Sequence, residues 1–269
     1  MALTPVPVAR KALLDSIPEP TGAETLPLAQ CAWRVLAGEV KALRTQPPFA
    51  NSAMDGYAVR GDEMAEGVSL SVIGESAAGR AYEGAVGPGQ AVRIFTGAPM
   101  PDGADTILMQ EDADGVDSPV IRVRVPPAKG KFLRAAGLDF HEGDVLLSAG
   151  RVLDSAALGL AAAMGHPTLP VRRKPRVAIL ATGDELVAPG EPVGRDQIVA
   201  SNSFSLAALV EKAGGTVLDL GIARDDHADL AAKIARARAA DADVLITLGG
   251  ASVGAHDLVQ EALTRAGMT

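Results

Sequence analysis

Acidic residues follow the predicted strands in the last third of the sequence. Asp184 and Glu185 come after the apolar run RVAILA, Asp225 and Asp226 after TVLDLGI, and Asp257 after DVLITLGG. Because the carboxyl ends of parallel strands meet at one edge of a sheet, these carboxylates are expected to gather there. Carboxylates so placed repel one another unless a cation or a shifted pKa intervenes, and Mg²⁺ is the natural occupant. The alternative, which the residues alone favour, is that Asp225 and Asp257 cap the helices that follow while Asp184 and Glu185 are solvated.

A glycine-rich loop, GGASVG at residues 249–254, lies between a predicted strand and the last predicted helix. Its bare backbone N–H groups and the start of the helix could hold an anion. The loop has neither the Lys of a P-loop nor the G-x-G-x-x-G spacing of dinucleotide-binding folds. Two interpretations therefore stay open, an anion or pterin cradle and a plain tight turn.

Three further polar residues lie in a stretch that is rich in turn signals. Asp55-Gly56, within PPFANSAMDGYAVR, has apolar neighbours and is typical of a hairpin turn. Thr96 follows the strand-like run AVRIF, where its hydroxyl could bind phosphate or could equally stabilise the turn. Arg134, in GKFLRAAGLD, has the planar fork that binds phosphate through two hydrogen bonds, although spacing alone favours an ordinary surface arginine.

The carboxylates and the glycine-rich loop would be positioned by an alternation of strands and helices from Arg176 onward. The three strand-like runs alternate with helices predicted over 205–213, over 228–239 and at the end of the chain. This pattern predicts a largely parallel α/β layer with right-handed connections. Three strands are fewer than doubly wound domains usually carry, so we expect a C-terminal portion beyond Thr269.

The rest of the sequence divides where helical segments give way to β-prone runs separated by turn clusters. Residues 25–43 are predicted to form a helix that ends at Gly38 and then a short strand, and residues 154–164 a second helix with Asp154 as its N-cap. Between them, the runs SLSVI, AVRIF, TILMQ and VIRVRV alternate with turn clusters and predict a mostly-β insert. The predicted fold class is α/β plus this insert, in a multi-domain chain. The predicted domains are a discontinuous helical and β base (1–44 and 142–170), the insert (45–141) and a doubly wound α/β domain (171–269).

Composition excludes several classes of function. The formal net charge of −8 and the pI near 5.1 offer no general attraction to phosphate backbones, so nucleic acid is not an expected partner. The sequence contains neither a signal peptide nor an apolar run long enough to span a membrane, which predicts a cytoplasmic protein with no membrane partner. Cys31 is the single cysteine, and its neighbours predict a buried helix position rather than a nucleophile.

Taken together, PPFANSAMDGYAVR, RIFTGAPMPDGADTILMQED, ATGDELVAPGEP and GGASVGAHD strongly resemble the molybdopterin molybdenumtransferase family, whose animal homologue forms the C-terminal domain of gephyrin. The resemblance extends from about Leu26 to the end of the sequence. The TGDE and GG-x-S-x-G-x-x-D segments recur in related pterin-binding domains, whereas SAMDGYA marks this family. The order and spacing of the segments make the resemblance specific.

The resemblance implies a function and a set of site residues. Members of this family act as homodimers whose cleft lies between subunits, and they commonly use Mg²⁺. In their reaction molybdate replaces the protons on the dithiolene of adenylylated molybdopterin, the phosphoanhydride is cleaved, and AMP and the mature cofactor leave. The implied catalytic positions are Asp55, Thr96, Arg134, Glu185, Asp225 and Asp257, of which the last three are the implied metal ligands. The implied substrate-binding positions are Asp139, Thr182, Gly183, Asp184, Gly249, Gly250, Ser252 and Gly254.

The sequence also departs from the family pattern. Leu138 stands where the family commonly has Glu, next to Asp139, and Trp33 replaces a common Gly. The Lys-rich, Pro-Gly-containing loop and the further β domain of the family are expected beyond Thr269, outside this sequence. Two other functions therefore stay open: a noncatalytic module that binds pterin or partners, and a related adenylyltransferase that makes the phosphoanhydride from ATP.

Overall fold

The structure, a computed structural model, describes residues 4–17, 19–249 and 258–267. The chain forms two compact units, each built from segments that are far apart in sequence. Unit 1 contains Met1–Gly38, Gly150–Asp154 and Thr168–Thr269. Unit 2 contains Glu39–Ala149 and Ser155–Pro167. The division into three domains made from the sequence stays a prediction.

The helices lie mainly in unit 1. Within the described ranges they are α1 (Val6–Asp15), α2 (Ser155–Ala163), α3 (Asn202–Lys212), α4 (His227–Ala239) and α5 (Leu258–Arg265). The helices predicted over 154–164, 205–213 and 228–239 are confirmed as α2, α3 and α4, with ends that differ by a few residues. No helix of the described chain combines the length and the apolar character that a membrane crossing requires.

The strands are short and most belong to unit 2. In chain order they are β1 (Ala23–Pro27), β2 (Val40–Lys41), β3 (Asn51–Ser52), β4 (Gly56–Val59), β5 (Ser69–Ser76), β6 (Gln90–Ile94), β7 (Thr106–Met109), β8 (Ala113–Asp114), β9 (Val120–Val123), β10 (Leu133–Arg134), β11 (Val145–Leu147), β12 (Thr168–Arg172), β13 (Arg176–Thr182), β14 (Leu186–Val187), β15 (Ile198–Val199), β16 (Thr216–Ala223) and β17 (Val244–Leu248).

Unit 2 is organised around a six-stranded sheet with the order β7-β4-β6-β5-β9-β8. Its pairs are antiparallel except for β5 with β6. All four residues of β4 are buried, because Tyr57 and Val59 pack into one apolar cluster while Ala58 packs into another. The mostly-β character predicted for this stretch is confirmed, and all four β-prone runs form strands of this sheet.

Unit 1 contains a parallel sheet with the order β16-β13-β17. The chain starts at the central strand and adds one strand on each side, as in doubly wound sheets. Ala178 and Leu180 of β13 belong to an apolar cluster with Leu230 of α4 and Val259 of α5, while α3 contacts β13 and β16. The predicted parallel α/β layer is confirmed.

The helix predicted at the start of 25–43 is wrong. Residues Ala23–Pro27 form β1, which pairs antiparallel with Thr168–Arg172 of β12, and a 3₁₀ turn follows over Leu28–Gln30. Trp33 then has a φ of +62°, which ends any helical run. Pairing with a strand more than 140 positions away has overridden the local helical propensity. Cys31 is buried, as predicted, but in this turn and not in a helix.

A single carboxylate ties the start of the α/β sheet to the preceding strand. The two oxygens of Asp243 accept hydrogen bonds from Nη1 of Arg173 at 2.9 Å and from its Nη2 at 2.7 Å, and Oδ2 also accepts the backbone N–H of Arg176 at 2.7 Å. These donors lower the pKa of Asp243 from 3.8 to about 2, Arg173 contributing most. Because Arg176 begins β13 and Asp243 immediately precedes β17, the contact aligns both strands at their amino ends.

This contact predicts a pH-dependent part of the stability. The pKa of Asp243 is lower in the folded state than in the unfolded state, so its contribution is complete above about pH 4 and is lost as the pH falls towards 2. We expect Asp243→Asn to lower the free energy of unfolding by about 1 kcal/mol at pH 7, and the difference from wild type to shrink below pH 4. Urea unfolding at several pH values measures both. A difference that stays constant down to pH 2 would show that the charge of Asp243 does not contribute.

A second prediction concerns Trp33, whose indole is 71% exposed on a left-handed backbone. Because glycine adopts this conformation without steric cost, we expect Trp33→Gly to raise the free energy of unfolding by roughly 0.5–1 kcal/mol. Trp33→Ala keeps the Cβ atom and serves as the matched control, with a stability near that of wild type. Circular dichroism should follow the unfolding, since the variants remove the single tryptophan. A less stable glycine variant would mean that the indole makes a stabilising contact.

Candidate functional site

Asp55 and Thr96 are in direct contact in unit 2. The Oδ1 atom of Asp55 accepts the backbone N–H of Thr96 at 2.8 Å and its hydroxyl at 2.9 Å. The backbone bond, followed by the hydroxyl bond, holds the pKa of Asp55 below its usual value, and the charge of Arg93 adds to the effect. Both residues are exposed. The pair therefore presents to solvent an ionised carboxylate that can only accept hydrogen bonds.

The sheet of unit 2 positions this pair. Asp55 comes just before β4, Thr96 comes two residues after β6, and these two strands are paired antiparallel up to Gly56 and Ile94. A Cβ atom on Gly56 would lie 2.1 Å from the carbonyl oxygen of Leu108, so only glycine permits the close approach of β4 and β7. The hairpin predicted at Asp55-Gly56 is wrong, because β3 pairs with β10 whereas β4 pairs with β6 and β7.

Arg134 lies beside the segment that leads to Asp55. It is paired with Asn51 across β10 and β3, and its side chain is exposed. The backbone of Ser52 forms two hydrogen bonds with the segment after Thr96. Its N–H donates to the carbonyl oxygen of Ala98 at 3.1 Å, and its carbonyl oxygen accepts the N–H of Gly97 at 2.8 Å. β3 is thus held between the segments that carry Thr96 and Arg134. Asp139 is exposed on a different segment, where its N–H donates to Gln46 O at 3.0 Å.

In unit 1, two glycines allow the carboxyl ends of β13 and β17 to come together. The hydroxyl of Thr182 donates to the carbonyl oxygen of Leu248 at 3.3 Å. Gly249 has a φ of +101°, and a Cβ atom there would lie 2.5 Å from the carbonyl oxygen of Thr182. Gly183, with a φ of +142°, is packed against the side chain of Glu185. Both positions therefore require glycine.

A cleft of about 280 Å³ opens at this carboxyl edge. It contains the predicted residues Thr182, Glu185 and Gly249. Ser201 is the N-cap residue of α3 but makes no side-chain capping bond, so its hydroxyl does not occupy the first backbone N–H groups of this helix, which an anion could bind. The full lining is Ala181, Thr182, Glu185, Leu186, Ile198, Val199, Ala200, Ser201, Asn202, Ser203, Leu248 and Gly249.

The far wall of this cleft is formed by residues 198–203, which were not among the residues predicted from the sequence. The signal was present: Ser201, Asn202 and Ser203 come directly before the apolar helical run, and such residues mark the start of a helix. Since β15 also pairs with β14, the loop after Glu185 returns to the start of α3 and closes the cleft.

The acidic residues that follow β16 have different partners. Oδ1 of Asp226 accepts the N–H groups of Ala228 at 2.8 Å and Asp229 at 2.9 Å, so Asp226 caps α4. The cap predicted at Asp225 is therefore wrong. The N–H of Asp225 instead donates to Oδ1 of Asp184 at 3.2 Å, which brings the loops after β16 and β13 together.

The donor set at this edge can be compared with the needs of Mg²⁺. Among the residues that the structure describes, no group of three His, Cys, Asp or Glu side chains is arranged to hold a metal ion. Glu185 and Asp225 are exposed oxygen donors on loops at the same end of the sheet. Mg²⁺ usually takes one or two protein carboxylates and completes its shell with water and substrate phosphate, so this donor set fits. The predicted residues Asp257, Gly250, Ser252 and Gly254 lie outside the described ranges.

Comparisons with known families cover most of the chain. Residues 4–165 match the family described as MoeA N-terminal region (domain I and II). Residues 178–269 match the family described as probable molybdopterin binding domain.

Individual relatives agree with the family matches. A molybdopterin molybdenumtransferase 2 of Mycobacterium tuberculosis (strain ATCC 25618 / H37Rv) is 44% identical over 88% of this chain and 60% of that protein. A molybdopterin molybdenumtransferase of Haemophilus influenzae is 37% identical over 96% of this chain and 64% of that protein. The crystal structure of a molybdopterin biosynthesis MoeA protein from Pyrococcus horikoshii OT3 superposes with a TM-score of 0.83 at 33% identity, over 91% of this chain and 66% of that one.

The chain spans 60 to 64% of the length of these two curated relatives. The resemblance inferred from the four sequence segments is confirmed, and so is the fold class. The family match alone covers more than half of the residues. This chain belongs to the molybdopterin molybdenumtransferase family of molybdenum cofactor biosynthesis.

Proposed function

We propose that the chain carries reaction and substrate-binding residues of an enzyme that inserts molybdenum into adenylylated molybdopterin, using molybdate and releasing AMP. The observation that most supports the proposal is the contact of Asp55 with Thr96. The two residues are 41 positions apart, and each lies in a segment typical of the family. Their contact joins these segments into one polar site. The family resemblance also supports a homodimer that acts in the cytoplasm.

The cleft at the carboxyl edge of the α/β sheet is the proposed site for molybdopterin and its phosphates. Its apolar walls suit a flat ring system, and its polar residues lie at the ends of strands and at the start of α3. The N–H groups at the start of α3 carry a partial positive charge that favours phosphate oxygens. Gly249 is exposed beside Thr182, so a ligand can approach the backbone closely there.

Glu185 and Asp225, with Asp257, are the proposed ligands of Mg²⁺. When bound, the ion neutralises charge on the phosphoanhydride and on the departing AMP. Asp184 positions Asp225 by accepting its backbone N–H at 3.2 Å. The substrate is anionic, so cationic cover is required wherever it approaches these carboxylates.

In unit 2, Asp55 is the proposed acceptor for a proton or a hydrogen bond from a reacting group. Thr96 takes up only Oδ1 of its carboxylate in the contacts described above, and both partners are exposed to a ligand. Arg134 is the proposed phosphate-binding cation, because its exposed guanidinium can form two parallel hydrogen bonds with a phosphate. Asp139 is the proposed substrate-binding carboxylate on the neighbouring segment.

The direct test of the proposed function is AMP release. The purified chain is mixed with adenylylated molybdopterin, molybdate and Mg²⁺, and AMP is quantified by chromatography with a control that lacks molybdate. We expect molybdate-dependent AMP from this chain, or from the chain extended by the part of the curated relatives that it does not cover. Tight ligand binding without AMP from either form would identify a noncatalytic module. ATP-dependent formation of the adenylylated compound would identify an adenylyltransferase.

The adjacent residues Asp225 and Asp226 provide a matched pair of variants. Asp226→Ala removes the cap of α4, so we expect a loss of about 1 kcal/mol in the free energy of unfolding and nearly unchanged turnover. Asp225→Ala removes a proposed metal ligand, so we expect turnover to fall by roughly 10- to 100-fold while stability changes by less than about 0.5 kcal/mol. Urea unfolding and AMP release measure the two effects. The reverse pattern would show that Asp225 has a structural role.

A further inference from the structure

Arg93 occupies a fixed position at the end of β6 in unit 2. Its guanidinium carbon lies 5.0 Å from the ring centroid of Tyr57 and 5.0 Å from that of Phe95. Tyr57 is its cross-strand partner in β4, and Phe95 is two residues further along the chain. Aromatic faces attract a guanidinium, and a cation held by two rings has lost most of its freedom to move.

The edges of the same guanidinium hold polar groups around Asp55. Nη1 donates to the carbonyl oxygen of Gly56 at 3.2 Å, and Nη2 donates to the side-chain oxygen of Gln110 at 2.6 Å. The backbone N–H of Gln110 in turn donates to the carbonyl oxygen of Asp55 at 3.3 Å. Arg93 is therefore bonded directly to the residue after Asp55, and through Gln110 to Asp55 itself.

These contacts lie at the end of the β4–β6 ladder, whose backbone hydrogen bonds do not extend to Asp55 and Thr96. The pairing of β4 with β6 ends at Gly56 and Ile94, so Asp55 and Thr96 are both beyond the last ladder pair. Two of the groups that Arg93 contacts are next to them in sequence: Gly56 follows Asp55, and Phe95 precedes Thr96. The charge of Arg93 also favours the ionised form of Asp55, without a hydrogen bond between the two side chains among their described contacts.

We propose that Arg93 is a positioning residue for the Asp55–Thr96 pair, which holds the two strand ends in the geometry that the proposed reaction needs and does not itself touch the substrate. The inference rests on the proposed function for its catalytic consequence. The geometric part, that Arg93 maintains the hydrogen bond between Asp55 and Thr96, holds independently of the reaction. A lysine cannot replace it, because an ammonium group lacks the planar fork that reaches Gly56 and Gln110 together.

Two variants and a matched control test the inference in the full chain. Arg93→Met removes the charge and the fork, and Arg93→Lys keeps the charge and removes only the fork. Arg80→Met serves as the control, because Arg80 is an exposed arginine of unit 2 whose ion pair with Glu75 is on the surface. Circular dichroism establishes that each variant is folded, and Arg93→Lys carries the test if Arg93→Met does not fold.

The first measurement is hydrogen exchange of the Thr96 amide, which donates to Asp55. We expect exchange to be about 10-fold faster in both Arg93 variants than in wild type and unchanged in Arg80→Met, while the core amides of Ile107 and Leu108 stay protected. This result does not depend on any activity. Unchanged exchange at Thr96 in a folded Arg93 variant would overturn the inference, whether or not the chain releases AMP.

The second measurement separates positioning from general destabilisation. In the AMP-release assay, we expect both Arg93 variants to lower kcat by about 10-fold and to change KM by less than about 2-fold. In an Asp55→Asn background, Arg93→Met should lower kcat by less than about 2-fold further, because the residue that Arg93 positions has already been removed. An equal loss in both backgrounds would overturn the inference. If neither this chain nor its extended form releases AMP, the proposed function fails, and the exchange experiment alone decides the role of Arg93.

Discussion

Strand β13, which is buried on both faces and paired along both edges, determines how the α/β sheet of unit 1 is built. Residues Val177 to Thr182 of β13 are all buried, with β16 and β17 on its two sides and helices over the sheet. A charged side chain in such a strand would lose its hydration without gaining a partner. The first ionisable residues that follow, Asp184 and Glu185, therefore lie beyond its carboxyl end. The same constraint brings the loop after β16, and Gly249 directly after β17, to that edge. The cleft is therefore a consequence of the fold, and the glycines at 183 and 249 let its walls approach.

Unit 2 follows the same logic with a different architecture. β4 is buried on both faces, and Asp55 is the residue immediately before it. The polar pair of Asp55 and Thr96 is thus attached to the ends of rigid strands, which is where a reacting group can be held with little freedom. A loop alone would not supply this rigidity. Gly56 makes it possible, since any side chain there would separate β4 from β7.

The parts of the structure that the sequence predicts are those in which local pattern and burial agree. β13, β17 and α4 follow from the alternation of apolar runs with helical segments, and the strands of the insert follow from their β-prone runs. The order of strands in unit 2 does not follow, because β5 pairs with β6 in parallel and β4 lies between β6 and β7 through contacts distant in sequence. The helix predicted at the start of 25–43 was wrong for the same reason, because β1 forms there by pairing with the distant strand β12. The cap at Asp226 instead of Asp225 is a one-residue difference that only backbone geometry decides.

The net charge of −8 would suggest that this chain repels the anionic substrate that is proposed for it. Hydrogen-bond donors close to a bound ligand affect its binding more than the net charge does, because interactions between exposed charges are screened within about 8 Å at physiological salt. Two arginines of unit 2 differ in what their guanidinium groups can contact, because one is half-buried and the other is exposed. Arg93 is half-buried between two rings with hydrogen bonds to Gly56 and Gln110, so its charge acts on the protein. Arg134 is exposed on a two-residue strand, and a guanidinium in that setting exchanges water for phosphate at little structural cost. The same residue type therefore stabilises the site in one place and is the proposed phosphate-binding group in the other, and sequence spacing alone does not distinguish the two.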